Sequence, residues 1–394
     1  MSTFAAVMTG KGAGAISTIE VFGEQAEAAL KEILKPAEDK PATFEQGKIL
    51  LGKIADGPET IDQVTIGCEG PNRFAIHCHG NPLIVEMIME LLQRHGARLI
   101  TAEQLLAKTL PADQPTNTIA VEAKIAQAKA MTLEGTKLIL NQIDRGLTRR
   151  AKEWLKEMEA IPLKQVKNDA GRILEDSQRA RLIVFGCTAV IIGPPNTGKS
   201  TLMNCLCGRQ KAIVTDIKGT TRDWVSAQCR IGPLAIELID TAGLDEELAA
   251  TPGDTIEKAA QQKTAEMLES ADLVLLVLDA SEAQAKLDKR LLERIAGKRV
   301  LTVLNKSDLP PCFDAGALPK ALARTVQISA RAGTGIENLL KKIVETCAVC
   351  DFDSESAVCV TGRQENLLNQ LKAAESKRRA ASIIRELLNG PLEV

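Results

Sequence analysis

The stretch Ala189-Val-Ile-Ile-Gly193-Pro-Pro-Asn-Thr-Gly-Lys199-Ser200-Thr201 decides how this chain is read. Four apolar residues end at a glycine, and Leu202, Met203 and Leu206 then recur at helical spacing, so the order is strand, glycine-rich loop, helix. Gly-x-x-x-x-Gly-Lys-Ser in that setting is a P-loop. Backbone N–H groups from Asn196 through Thr197, Gly198, Lys199, Ser200 and Thr201 would cradle a polyphosphate, with the positive end of the helix behind them. Lys199 reaches the terminal phosphates, where it also serves catalysis, and Ser200 ligates Mg²⁺. A strand feeding such a helix predicts a mostly parallel α/β sheet covered on both faces.

Two apolar runs downstream end in polar motifs that fit the same site. Leu234-Ala-Ile-Glu-Leu-Ile239 leads into Asp240-Thr-Ala-Gly243, a strand tip that would bring a carboxylate to the Mg²⁺ shell and a glycine N–H to the γ-phosphate. Val300-Leu-Thr-Val-Leu304 leads into Asn305-Lys306-Ser307-Asp308, and this motif chooses the base. A carboxylate at Asp308 accepts from the N1–H and amino group of guanine, whereas adenine would strand a desolvated charge. Sites built on such pairing discriminate by roughly 10⁴-fold or more. The expected nucleotide is therefore GTP. Ser329-Ala330, after the strand-like Thr325-Val-Gln-Ile328, is placed to give a final backbone donor to the guanine oxygen. Between the P-loop and Asp240, Gly219-Thr220-Thr221-Arg222-Asp223 reads as a switch loop. Thr221 is the preferred second Mg²⁺ ligand there, with Thr220 left open. Leu244 follows Gly243 and cannot orient water, so the water-positioning group is sought among the carboxylates from Asp245 to Glu257.

Gly-x-Pro-Asn-x-Gly-Lys-Ser, Gly-Thr-Thr-Arg-Asp, Asp-Thr-Ala-Gly-Leu and Asn-Lys-Ser-Asp, in this order, resemble the TrmE/MnmE tRNA modification GTPase family. Ile76-His77-Cys78-His79-Gly80 and the glycine-rich Gly10-Lys-Gly-Ala-Gly14 extend the likeness towards the N-terminus. The resemblance implies that Asn196 helps hold K⁺ against the phosphates, the ion standing in for an arginine finger when two G domains meet. It implies that Glu257 orients the attacking water, that Arg222 and Asp223 lie in a dimerising switch region, and that the protein is a homodimer. It further implies GTP-driven G-domain closure coupled to modification of a tRNA wobble uridine, with a flavoprotein partner. Departures from the family pattern concentrate on one-carbon chemistry. Ala75 stands where the family has a glutamate, Glu20 where it has an arginine, and Thr116 where it has a lysine. The chain ends at Gly390-Pro-Leu-Glu-Val394 without the family's cysteine motif. These differences weigh against an intact formyl-tetrahydrofolate site and keep a second reading open, a GTP-dependent regulatory or assembly switch without modification chemistry.

Composition agrees with a multidomain cytoplasmic protein. The chain has 394 residues, 45% apolar and 25% charged, enough to bury more than one core. A formal net charge of -2 supplies no bulk field for nucleic acid, so DNA is not an expected partner and any tRNA contact must be a local patch. No Tyr, two Trp and seven Phe argue against an aromatic base-stacking platform. No apolar run approaches the ~20 residues of a membrane span, so no membrane partner is expected. Ten cysteines include one C-x-x-C, Cys347-Ala-Val-Cys350, with Cys359 nearby but no second pair to complete a zinc site, so reduced thiols are expected. His77 and His79 fall on one face of a strand and are expected to be an ordinary strand pair.

Periodicity divides the chain. Residues 1–112 mix strand-like and helical runs, an α+β domain, and Pro111-Ala-Asp-Gln-Pro115 reads as a linker. Residues 116–184 repeat apolar positions at three and four with Pro162 as the internal break, and predict long helices. The α/β P-loop domain spans 185–346, and 347–394 is helical again, so a helical domain interrupted by an inserted G domain is expected. Arg145, Arg149, Arg150 and Lys152 in the first helical part, and Lys372, Lys377, Arg378, Arg379 and Arg385 in the second, are candidate RNA-phosphate contacts. Their simpler reading is a solvated, glutamate-interleaved face.

Overall fold

The computed structural model describes residues 2–10, 12, 14–37, 43–113, 117–209, 225–240, 266–283 and 289–392. Two compact units form, one mainly from residues 1–116 and one mainly from 117–391.

The first unit is an α+β domain. Its strands are β1 (Thr3–Val7), β2 (Ile16–Phe22), β3 (Leu34–Pro36), β4 (Ile49–Asp56), β5 (Glu59–Gly70), β6 (Arg73–His79) and β7 (Ala97–Leu99), joined in the order β3-β4-β5-β6-β2-β1-β7. Alternation sets the faces: Ile19, Val21, Val64, Ile66, Phe74 and Ile76 point into a core with Leu30 and Ile33 of α1 (Ala26–Ile33) and Ile88, Leu91 and Leu92 of α2 (Pro82–Arg94). The intervening residues Glu20, Arg73, Ala75, His77 and His79 share the other face. α3 (Ala102–Asp113) starts at a reciprocal cap, Thr101 Oγ1 accepting the Gln104 N–H while Gln104 Oε1 accepts that of Thr101. Its backbone stays helical to Asp113, so the first three residues of the expected linker, 111–113, are helical instead.

The second unit joins a helical bundle to a six-stranded sheet. The bundle opens with α4 (Thr118–Gln127), α5 (Leu133–Asp144), α6 (Gly146–Glu157) and α7 (Leu163–Phe185). After a single residue, Gly186, the chain enters the sheet: β8 (Cys187–Ile192), β9 (Val225–Ile231), β10 (Leu234–Asp240), β11 (Leu273–Asp279), β12 (Val300–Asn305) and β13 (Thr325–Gln327). Strand order is β13-β12-β11-β8-β10-β9, parallel throughout except for β9. Among the helices of this part are α8 (Lys199–Arg209), α9 (Lys289–Ile295) and α10 (Ile336–Thr346). Ala189, Ile191, Leu275 and Val277 face Leu202, Leu206, Leu339 and Ile343 on one side, and Val190, Ile192, Leu276 and Leu278 face Leu268 and Ile295 on the other. Burial on both faces explains why β11 is apolar at six consecutive positions before its terminal aspartate.

α11 (Gly362–Ala373) and α12 (Lys377–Asn389) return to the bundle, where Leu367, Leu371, Ile383 and Ile384 share a core with Ile119, Leu147, Trp154 and Ile173. Helices on both sides of the sheet in sequence thus build one core, and the sheet is an insertion in the bundle. Both helical stretches have more breaks than the periodicity marks. Residues 116–184 break after Gln127 and at Arg145 as well as near Pro162, and 363–388 breaks between Ala373 and Lys377.

Candidate nucleotide-binding site

β8 hands the chain to a loop whose backbone few residues tolerate. Gly193 sits at φ +150°, Asn196 at +62° and Gly198 at +92°. A Cβ at Gly193 would lie 2.1 Å from the Val277 carbonyl oxygen, and one at Gly198 would lie 2.4 Å from Asn305 Nδ2, so neither position accepts a side chain. Asparagine is one of the few other residues that enters the left-handed region readily. Thr197 Oγ1 donates to the Pro194 carbonyl at 2.9 Å, closing the loop on itself. The buried Lys199 ammonium donates to the Gly193 and Pro194 carbonyls at 2.9 and 3.2 Å, lying across the loop it belongs to. Ser200 and Thr201 are exposed in the first turn of α8, where the helix dipole favours an anion.

The neighbouring strands bring their motifs to the same edge. Asp240 ends β10, buried and in register with Ile191 of β8. Asn305 ends β12 and ties two loops together: its Nδ2 donates to the Thr197 carbonyl at 2.8 Å, and its Oδ1 accepts the Ala330 N–H at 2.9 Å. The Ser307 N–H donates to the Ile328 carbonyl at 3.0 Å. Asp308 is exposed, and the Ser329 hydroxyl, bonded to its carboxylate, holds that carboxyl below the usual range, with Arg331 and Lys306 adding to the effect. An ionised, oriented acceptor therefore faces solvent beside Ser329 and Ala330. All of these groups stand at the carboxyl ends of parallel strands around central β8, where open α/β sheets form their ligand crevices.

Asn196, Thr197, Gly198, Lys199, Ser200, Thr201, Asp240, Asn305, Lys306, Asp308, Ser329 and Ala330 are thus brought together. Thr220, Thr221, Arg222, Asp223, Gly243, Leu244 and Glu257 lie outside the described residues, as does Thr116. The Ser200 hydroxyl and Asp240 carboxylate are hard oxygen donors of the kind Mg²⁺ takes. Sequence reading missed Asp279, which ends β11 at the same edge and meets Lys306 Nζ at 2.6 Å. The signal was available, since a carboxylate closing an apolar strand is the pattern that singled out Asp240.

Elsewhere, the two histidines of the N-terminal sheet are separately engaged. His77 Nδ1 meets Thr18 Oγ1 at 3.0 Å and His79 Nδ1 meets Asp62 Oδ1 at 2.7 Å. Cys347 is buried and Cys350 exposed, and among the described residues no three His, Cys, Asp or Glu gather as metal ligands. No helix of the described residues is long and apolar enough to cross a membrane. Of the basic residues in the bundle, Arg150 is committed to Asp169 and Glu153, Arg149 to Glu153, and Lys377 to the Glu159 carbonyl.

Comparison with known proteins agrees with both ends of this description. Residues 3–104 match the family described as GTP-binding protein TrmE N-terminus, and residues 188–306 match the 50S ribosome-binding GTPase family. The tRNA modification GTPase MnmE of Thermotoga petrophila is 30% identical over 94% of this chain and 88% of its own length. That of Nitratidesulfovibrio vulgaris is 30% identical over 98% and 88%, and that of Clostridioides difficile 29% over 91% and 84%. Matches of this extent take in the N-terminal sheet, the bundle and the inserted P-loop sheet together, and the chain belongs to the tRNA modification GTPase MnmE family.

Proposed function

We propose that this protein binds and hydrolyses GTP and couples that cycle to modification of a tRNA wobble uridine. The observation that carries the GTP assignment is the convergence of the P-loop, Asp240, Asn305 to Asp308 and Ser329-Ala330 on one sheet edge. In this reading the loop N–H groups and α8 hold the phosphates, and Lys199 leaves its loop carbonyls to meet the terminal phosphate oxygens. Asp308 accepts from the guanine edge, and the Ala330 N–H, which donates to Asn305 Oδ1 without nucleotide, turns to donate to the guanine oxygen. Ser200, Asp240 and Thr221 would hold Mg²⁺, and Asn196 would help hold K⁺; these ions offset the charge that develops on the transferred phosphoryl group. Glu257 orients the water, and meeting of two G domains in a homodimer closes the site. tRNA and a flavoprotein are the expected partners.

Two positions of the N-terminal sheet depart from the charges that the family resemblance implies for a formyl-folate site. Glu20 is buried opposite Ala75, and its carboxylate is taken by Arg73. This observation favours the second reading, a GTP switch without one-carbon chemistry, enough to keep it in the test.

Two measurements check the proposal. D308N is expected to shift preference from GTP to xanthosine triphosphate, and unchanged GTP affinity would refute the base assignment. Nucleoside mass spectrometry on bulk tRNA with and without the gene is expected to show loss of a wobble-uridine modification on deletion. An unchanged profile from cells whose protein hydrolyses GTP would establish the switch reading instead.

A further inference from the structure

Asp279 closes a strand in which every residue is buried, and the nucleotide-binding motifs give no reason for a carboxylate there. The parallel register of β11 and β12 sets it opposite Asn305, the first residue of the base-reading loop. Oδ1 accepts the Ser281 N–H at 2.9 Å and the Ser281 hydroxyl at 2.6 Å. Oδ2 meets Lys306 Nζ at 2.6 Å, with the aspartate side chain 5% exposed and the lysine 33%.

Lys306 stands at φ +65°, a left-handed conformation that residues with a side chain rarely adopt. Its own chemistry gives no reason to adopt it, so a neighbour must hold it, and the ion pair is in place to do so. The turn after Asp279 also binds the chain before and after that loop. The Ala280 N–H donates to the Asn305 carbonyl at 2.8 Å, and the Ala280 carbonyl accepts the Cys312 and Phe313 N–H groups at 2.9 and 3.1 Å. Burial alone would push the Asp279 carboxyl up, but Lys306 and Ser281 together hold it below its ordinary value, so it stays a fixed negative charge. The third of the lysine side chain that meets solvent screens the pair. What this pair fixes is direction: it anchors the far end of the Lys306 stem, and with it the backbone that carries Asp308 two residues on.

We propose that Asp279 is a positioning residue for guanine recognition, acting through Lys306 to set the wall of the base slot and the placement of Asp308. The proposal rests on the guanine reading above, and the experiment separates the two. GDP, GTP and ITP affinities are measured by equilibrium titration of the full-length protein for D279N, for K306M, which keeps a stem of similar length without the charge, and for the double variant. D279N is expected to weaken GDP and GTP binding about tenfold and to shrink the preference for GTP over ITP, which lacks the amino group, by about fivefold. The double variant is expected to be no weaker than the weaker single one, since a residue acting through another adds nothing once that partner is gone. Additive losses, or a D279N protein with unchanged affinity and selectivity, would overturn the proposal. Thermal melts of the same proteins are run alongside. Should D279N lose its cooperative melt, D279E replaces it in the cycle, keeping the charge but displacing it by a methylene; wild-type affinity and GTP:ITP preference in that variant would equally overturn the proposal. D308N titrated with xanthosine triphosphate in the same series isolates the underlying reading: a switch there with an additive cycle sinks the role of Asp279 alone, and no switch sinks both.

Discussion

At the scale of single residues, two glycines ten positions apart have opposite reasons to be present. Gly198 is at φ +92°, and an added Cβ would sit 2.4 Å from the Asn305 amide nitrogen that bonds the Thr197 carbonyl. Gly208 is the penultimate residue of α8, its φ is not positive, and a Cβ there would meet nothing within 4 Å. G198A must therefore distort the link between P-loop and base-reading loop, and is expected to weaken GDP binding by more than about tenfold. G208A only removes conformational freedom from the unfolded chain, and is expected to raise stability by about 0.5–1 kcal/mol. Denaturant melts and nucleotide titrations on both variants check the pair; a stabilised G198A protein with normal affinity would contradict the geometry. The motif residues were legible in the sequence because each sits where an apolar run stops, so strand end and functional side chain are marked by the same residue. Asp279 carries the same mark, but its partner Lys306 could not be read, because the contact depends on the register of two strands more than twenty residues apart.

Secondary-structure elements were less legible at their ends than in their existence. The break before α5 is made by Thr132, whose hydroxyl accepts the Gly135 N–H at 2.9 Å and donates to the Ile183 carbonyl at 2.8 Å. The break before α12 is made by Ser376, whose hydroxyl accepts the Arg379 N–H at 3.2 Å. Both residues sit in helix-compatible surroundings, and nothing local distinguishes a capping threonine from one on a helix surface; tertiary contact decides. The two caps also differ in consequence. Ser376 has one exposed bond, so S376A is expected to cost about 1 kcal/mol. Thr132 is buried and serves two backbone groups on different helices, so T132V leaves both unpaired and is expected to cost about 2–3 kcal/mol. Urea denaturation of the two variants tests the ranking, and a larger loss in S376A would show that the Thr132 link to α7 is unimportant.

For the whole molecule, the insertion of the sheet into the bundle was legible because helical periodicity stops before the P-loop strand and resumes after the last helix of the sheet. The residues that hold the two bundle segments together could not be found that way. Glu122 on α4 and Arg363 on α11, 241 positions apart, form a bidentate pair at 2.7 and 2.9 Å, with side chains 4% and 5% exposed. Gln364 and Thr361 also donate to the Glu122 carboxylate, and Arg363 further donates to the Glu386 and Leu387 carbonyls at the end of α12. One buried pair thereby joins the first bundle helix to both of the last two. Closing a loop of that length carries an entropic cost that grows only slowly with its size, so the inserted sheet is not itself the obstacle. The obstacle to losing either charge is the partner left behind without water or counter-ion. E122A is therefore expected to destabilise the bundle by about 3–5 kcal/mol, while E122L/R363M, which removes both charges, should recover much of that loss. Denaturation followed by far-ultraviolet circular dichroism distinguishes the outcomes: a double variant as unstable as E122A would mean that the hydrogen bonds to the α12 carbonyls, rather than the ion pair, hold the two segments together.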